Sequence, residues 1–349
     1  MSTPPSIPAL GAGAPTGPTC PTAGSVPRLG LGLAALALLL LLLGLAAGGE
    51  GWSWAWSTEL ELVRAIRLPR TLGALTAGAL LGLAGAIAQG LFRNPLADPY
   101  LLGSAAGASL GVVLVLAAGG LLGMHLGLAA TGFLMRIGLV SAAFVGALVG
   151  VLLTLALAGG AARPTVLLLG GVVVGVLLAA LSDLVILLSP DALRGKQVFL
   201  LGTTSFLGWS SVAVLSATLA AVLPLAMRMA RALDALVLGD ATARSLGVPL
   251  PQVRMTLVVL MALATGCAVA QVGLVAFVGL VAPHLVRRTV VATHGPLLAL
   301  SAGAGGVLLL AGDVAARSVL VPQELPVGVL TAVAGGLYLL VLLRRKFVR

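Results

Sequence analysis

The sequence specifies an all-α polytopic membrane protein, with about ten transmembrane helices of the length a bilayer demands. Three observations carry that reading. Of 349 residues, 60% are apolar and 9% charged, where a soluble domain carries about 25% charged; the mean hydropathy is +1.17. The apolar residues form unbroken runs long enough to cross as helices, not the alternating segments of a membrane barrel. Glycine is abundant, at 47 residues, and with alanine it lets helix backbones approach closely in lipid.

Along the chain, residues 1–28 are rich in Pro, Gly, Ser, Thr and Ala and read as a disordered cytoplasmic tail, leaving 29–345 as the transmembrane domain. The first run, Leu29 to Ala47, is longer than the 7–15-residue core of a secretion signal and reads as a span. Further runs fall near 69–92, 101–122, 133–158, 164–188, 206–227, 252–272, 274–288, 296–316 and 326–343. The run at 274–288 is short and carries Pro283, so it is the weakest crossing. An even count places both termini on one side. Arg93, Arg163, Arg228, Arg231, Arg244, Arg254 and the basic C-terminus then fall on the inner side, which predicts N-in and C-in by the excess of Lys and Arg there.

Several functions are excluded. The net charge is +10, but the basic residues stand singly at run ends with few aromatics between them, unlike a nucleic-acid surface. Cys20 and Cys267 give no disulfide framework. The lysines, Lys196 before Gln197 and Lys346 before Phe347, fit no phosphate-cradling Walker loop, so the chain does not split ATP by that route. His125, His284 and His294 lack metal-ligand spacing, and no catalytic triad or carboxylate pair appears. No metal, cofactor or catalytic residue is therefore expected.

Four motifs stand out. The turn Arg93-Asn94-Pro95-Leu96-Ala97-Asp98-Pro99 joins two runs, and Asn-Pro and Asp-Pro pairs initiate turns, with Asn94 and Asp98 as caps. The inner connection 231–248 reads as two short helices. The first, near Leu233 to Leu238, is ended by Gly239; the second is opened by Asp240 as N-cap and stopped by Gly247. The string from Val275 to Arg288 contains Gly279, Pro283, His284 and Arg287, with the proline removing a helix donor. Near the C-terminus stand Asp313 and Arg317, four apart and able to pair, then Glu324, Pro326 at a helix start and Gly328. Gly78 with Gly82, and Gly103, Gly107 and Gly111, have the spacing of close helix contacts. Trp52, Trp54 and Trp56 suit an interfacial belt, and Arg67, Arg70 and Arg317 at run ends suit snorkelling to headgroups.

From about Leu60 to the C-terminus these motifs, in this order, resemble the FecCD type of ABC-importer permease, which serves iron chelates and vitamin B12. The strongest match is FVGLVAPHLVR at 277–287, followed by D…R…ELPVGV at 313–329. The resemblance implies a type II ABC importer permease fold and a transmembrane subunit that brings a ferric siderophore, haem or cobalamin into the cytoplasm, with ferric siderophore the broadest class. It implies as partners two copies of an ABC ATPase, an extracytoplasmic substrate-binding protein and a second permease, identical or a close paralogue, in the plasma (inner) membrane. It assigns ATPase coupling to Leu233, Leu236, Leu238, Gly239, Asp240, Ala243, Leu246 and Gly247. It assigns binding-protein docking, by guanidinium–carboxylate pairing, to Arg67, Arg70 and Arg317. The motif at Pro283 and His284 becomes a structural element beside the ATPase contact. The alternative is an ion-coupled secondary transporter, which needs intramembrane acids; Asp183 is the one candidate, five residues from the outer end of its run. A lipid-modifying enzyme would need a cluster of Asp, His or Lys at one face, which the sequence does not offer.

Overall fold

In lipid every backbone polar group must be satisfied within the protein, which leaves helices as the spanning element for such runs. The computed structural model describes residues 25–48, 51–54, 56, 58–121 and 130–347, so Cys20, His125 and residues 1–24 of the expected tail lie outside the described residues. Helix α1 (Ser25–Ala46) begins inside that expected tail and leads to a two-residue hairpin, β1 (Ala47–Gly48) with β2 (Gly51–Trp52). Next come α2 (Leu60–Leu62), a π turn at Val63–Arg67 and α3 (Leu68–Phe92). After a 3-10 turn at Pro99–Leu102 follow α4 (Ser104–Leu121), α5 (Ala130–Leu157), α6 (Pro164–Leu188), α7 (Ala192–Leu201) and α8 (Trp209–Arg228). The inner connection forms α9 (Ala230–Val237) and α10 (Asp240–Ser245); α11 (Leu250–Val272), α12 (Val278–Thr289), α13 (His294–Ser318) and α14 (Val327–Phe347) complete the chain.

Each of the ten runs contains a helix among the described residues, but they are not ten equal crossings. Among the described residues seven helices are long and apolar enough to span, while Ser104–Gly119 and Val327–Leu342 are shorter apolar helices. α12 has 12 residues, about 18 Å at 1.5 Å each. The run at 101–122 loses its first residues to the 3-10 turn, which Asp98 caps by accepting from the Tyr100 N–H at 2.8 Å. Helix α7, in the outer connection, has only ten residues and carries Arg194, Lys196 and Gln197, so the apolar-run signal passes over it.

α3 is the hub, packed on α8, α11, α12 and α13. Its small residues explain how. Gly78 and Gly82 meet the backbone of Gly305 and Ser301 on α13, and on the other side of the bundle Gly107 and Gly111 of α4 meet Gly146 and Ala142 of α5. The tightest crossing is Gly85 on Gly279. Pro283 has no N–H to offer the Gly279 carbonyl four residues back, and that carbonyl lies against Gly85, where an added Cβ would stand 1.6 Å from it. Gly85→Ala must therefore push α3 and α12 apart. We expect a loss of at least about 1–3 kcal/mol, the usual overpacking range, read as a lower midpoint of thermal unfolding in detergent; an unchanged midpoint would mean the crossing is looser than described.

The long-range polar contacts sort by side. Connections assigned inside pair with one another, as in Arg93–Asp240–Arg254 and Asp234–His294, and those assigned outside do likewise, as in Arg70–Asp313–Glu324. That sorting keeps the two sets of connections on opposite faces, as alternating crossings require.

Candidate functional site

The inner face is built on the α9–α10 pair. Leu233, Leu236 and Ala243 are fully buried and anchor it in the main core, whereas Val237, Leu238 and Leu246 project outward, each about 60% exposed (59%, 63% and 62%). The angle between the helices is set by Gly239, whose φ of 100° and ψ of 158° lie where glycine alone is comfortable. At the far end Gly247, at φ 80°, completes a Schellman closure: its N–H reaches the Arg244 carbonyl and the Val248 N–H reaches that of Ala243.

Asp240 does not cap. It is the first residue of α10, and its carboxylate takes both oxygens to Arg254 Nη2 at 2.8 Å and one to Arg93 Nη2 at 3.2 Å. An ion pair to a buried guanidinium outweighs a local cap. Arg254, itself buried, also donates to the Ala162 carbonyl at 2.5 Å, tying α10 to α11 and to the α5–α6 turn. The Arg254 hydrogen bonds, ahead of an opposing burial effect and helped by the charges of Arg254, Arg93 and Arg244, hold the Asp240 carboxyl below its usual range. α9 is moored to α13 in the same way: Asp234 Oδ1 accepts from the His294 N–H at 3.0 Å and lies 2.6 Å from its Nδ1.

The other inner motifs converge here. Arg93, left-handed at φ 51°, closes α3, and Asn94 makes the expected turn by accepting from the Leu96 N–H at 2.9 Å. Gln89 donates to the Leu280 carbonyl at 3.1 Å and accepts from Arg287, clamping α12 to α3. His284 stacks edge-on to Tyr338, with ring centroids 5.8 Å apart. Pro99 packs on Gly279. Arg93, Asn94, Pro95, Val237, Arg287 and His294 together ring one inner cleft of about 600 Å³.

The outer arginines do not snorkel. All three are buried, with their heads turned into the protein. Arg67 reaches Glu59 at 2.8 Å and the Leu45 carbonyl at 3.1 Å. Arg70 donates from Nε to Asp313 at 3.0 Å and from Nη1 to both oxygens of Glu324 at 2.9 and 3.0 Å. Arg317 pairs with Asp313 at 2.5 Å, as its spacing suggests, and donates to the Gly44 and Ala47 carbonyls. Asp313 is wholly inaccessible and also accepts from Thr204 at 2.5 Å. Glu324 also accepts from the Ser205 hydroxyl at 2.8 Å. Burial pushes the Glu324 carboxyl up, but the hydrogen bond and charge of Arg70 outweigh it and leave it below the usual range. The cluster faces an outer cleft of about 440 Å³ that includes Trp52. Beside it, Gly328 sits against the Leu201 and Leu274 carbonyls, two residues after Pro326 and in the first turn of α14. Each of the three arginines thus already holds an acid within the chain. Asp183, with its side chain 70% exposed, pairs with Lys196 at 2.5 Å.

Residues 33–345 match the FecCD transport family. This chain belongs to that family. The hemin transport permease HmuU of Yersinia pestis is 38% identical over 288 residues, 80% of this chain and 82% of HmuU. The cobalamin import permease BtuC of Halobacterium salinarum is 34% identical over 290 residues, 82% of this chain and 74% of BtuC. Among solved structures, a metal-chelate type ABC transporter in an inward-facing conformation superposes with a TM-score of 0.79 at 26% identity, covering 91% of this chain and 99% of its own. This FecCD permease is accordingly the multi-pass inner-membrane subunit of an ABC importer, and family membership implies an ATPase, a substrate-binding protein and a second permease around it. Sequence reasoning about it missed Val237 on the exposed side of α9, Arg254 beneath α10, and Glu59, Thr204 and Ser205 in the outer cluster. Val237 was legible as the residue before an exposed leucine; the others lie in partners distant along the chain.

Proposed function

We propose that this FecCD permease works as one of two permease copies, driven by two ATPase subunits that grip α9 and α10, and that it receives a bulky metal chelate from an extracytoplasmic binding protein. The observation that carries the reading is the inner pair of helices. It is moored from behind by Arg254, Arg93 and His294, and it presents Val237, Leu238 and Leu246 outward, as a lever seated in a motor would. Leu233, Leu236 and Ala243 transmit rather than touch, and Gly239, Asp240 and Gly247 fix the angle. The cargo class follows the relatives, named for haem and cobalamin and for iron dicitrate. A ferric siderophore, haem or cobalamin shares their size and caged metal, and an iron chelate is the first to test. Arg67, Arg70 and Arg317 form the receiving end for acidic groups of the binding protein.

The test is ATP-dependent uptake of each chelate into vesicles holding the complete importer. Leu238→Asp with Leu246→Asp removes the projecting apolar surface at the centre of the proposed contact, where truncations cost about 2 kcal/mol or more. ATPase co-purification and ATP-driven uptake should each fall more than about tenfold with membrane insertion intact. Retained ATPase binding would overturn the assignment of α9–α10, and uptake that follows an ion gradient without ATP would overturn the class of motor.

A further inference from the structure

We propose that Glu324 is an internal stand-in for the binding protein's carboxylate: it occupies Arg70 until docking displaces it, and its departure loosens the 203–207 segment between α7 and α8. This rests on the docking reading of the outer arginines and goes beyond it.

The charge count sets the problem. Arg67, Arg70 and Arg317 contribute three positive charges, and Glu59, Asp313 and Glu324 contribute three negative ones within the same set of contacts. A further carboxylate arriving from outside finds no unmatched guanidinium, so one resident acid must leave. Asp313 cannot, because it is inaccessible and held by Arg70, Arg317 and Thr204. Glu324 can, because its side chain is 30% exposed at the rim of the cleft while that of Arg70 is 7% exposed beneath it; Glu59, 34% exposed on Arg67, is equally accessible but is tied to Ser53 by the hairpin, so its departure would not reach the segment between α7 and α8. A carboxylate that replaced Glu324 would meet the same Nη1 group from the open side, with equal charge and equal geometry.

Glu324 is also more than a counter-ion. Its second oxygen holds Ser205, in the segment between α7 and α8. That segment is bonded through the Thr203 N–H to the Val272 carbonyl at 2.8 Å, and Leu207 beside it is buried against Gly73 of α3. On the other side the Leu325 N–H is fixed to the Ala316 carbonyl at 3.0 Å. Glu324 therefore stands where the ends of α7, α11 and α13 and the start of α14 meet. Swapping the acid on Arg70 costs no charge pair yet cuts the tie from Glu324 to Ser205, leaving Thr204 on Asp313 as the segment's remaining side-chain hold on the cluster. Docking is converted into loosening at the outer end without any push on the helices.

The experiment uses the permease–ATPase complex in nanodiscs and the importer's own binding protein loaded with its chelate. Two quantities are read: binding-protein affinity, and the rate at which a membrane-impermeant maleimide modifies Leu207→Cys in a background lacking Cys20 and Cys267. In the otherwise native chain, labelling should rise when the binding protein docks. Glu324→Gln removes the competitor, so affinity should tighten about tenfold, the gain when a minor competent state becomes the major one, and labelling should be fast before docking. Ser205→Ala should speed labelling with affinity unchanged. Arg70→Gln should lose docking. If Arg70→Gln docks normally, the docking reading itself fails. If Arg70→Gln loses docking while Glu324→Gln changes neither affinity nor labelling, the stand-in is wrong and the docking reading survives. Should Glu324→Gln not insert, docking that leaves Leu207→Cys labelling unchanged in the native background overturns the proposal alone.

Discussion

Asp313→Asn should destabilise the protein by about 3–5 kcal/mol, the loss typical when one partner of a buried ion pair is removed. The substitution keeps size and shape. It takes away the one charge that both Arg70 and Arg317 face at hydrogen-bond distance, leaving Arg70 with Glu324 alone and the buried Arg317 with only backbone carbonyls. The measurement is the yield of monodisperse protein and its unfolding midpoint in detergent. A double variant serves as the internal control. Asp313→Asn with Arg317→Met removes a charge of each sign, so the double variant should recover part of the loss, and the non-additivity reports the pairing directly. A single variant as stable as the parent, or a double variant that is simply the sum of its parts, would show that the network contributes little.

Gly239→Pro should reduce ATP-driven uptake to background while the protein still inserts. The residue sits at φ 100°, and proline is fixed near −65°, so the joint between α9 and α10 cannot keep its angle. Leu238 and Leu246, on either side of the joint, can then no longer present one surface. The damage stays local, because α9 remains held by His294 and α10 by Arg254. Gly239→Ala should be milder, of the order of the 1–3 kcal/mol that a side chain costs in that region. Normal uptake by the proline variant would remove the joint from the mechanism. Acidity should not imitate this effect near neutrality. Asp240 has a lowered folded-state pKa, so its contribution is complete above the unfolded value of about 3.9 and disappears only as pH falls through the lowered value.

What the sequence made legible follows from what lipid enforces. Run length located every spanning helix, because a bilayer reads hydrophobic length directly. It could not say that 101–104 would bend into a capped turn, nor find α7, which is too short and too polar to register. The four-residue glycine spacing gave the right contact faces on α3 and α4, since small residues in lipid have little other use. The sites were half legible. Asp313 and Arg317 were paired from spacing alone, but Arg70 meets Asp313 from 243 positions away, and no local pattern encodes such a partner. The same blindness made Asp240 look like a cap, because a cap is a local device and Arg254 is not. Arg67 and Arg70 suited snorkelling for the same reason: the partners of Arg70 come from a separate segment of the chain.

The brevity of α12 bears on how the protein is made. A helix about 18 Å long, ending in Arg287 and Arg288 and carrying Pro283 and His284, offers the insertion machinery no segment that would leave the channel for lipid by itself. It must enter with α11 and α13 as a single hairpin-like unit and wait for α3, made far earlier in translation, to close over its Gly279 carbonyl. Errors at Gly85 should therefore surface during biogenesis, as misrouted chains cleared by quality control, before any loss of activity in mature molecules can be seen.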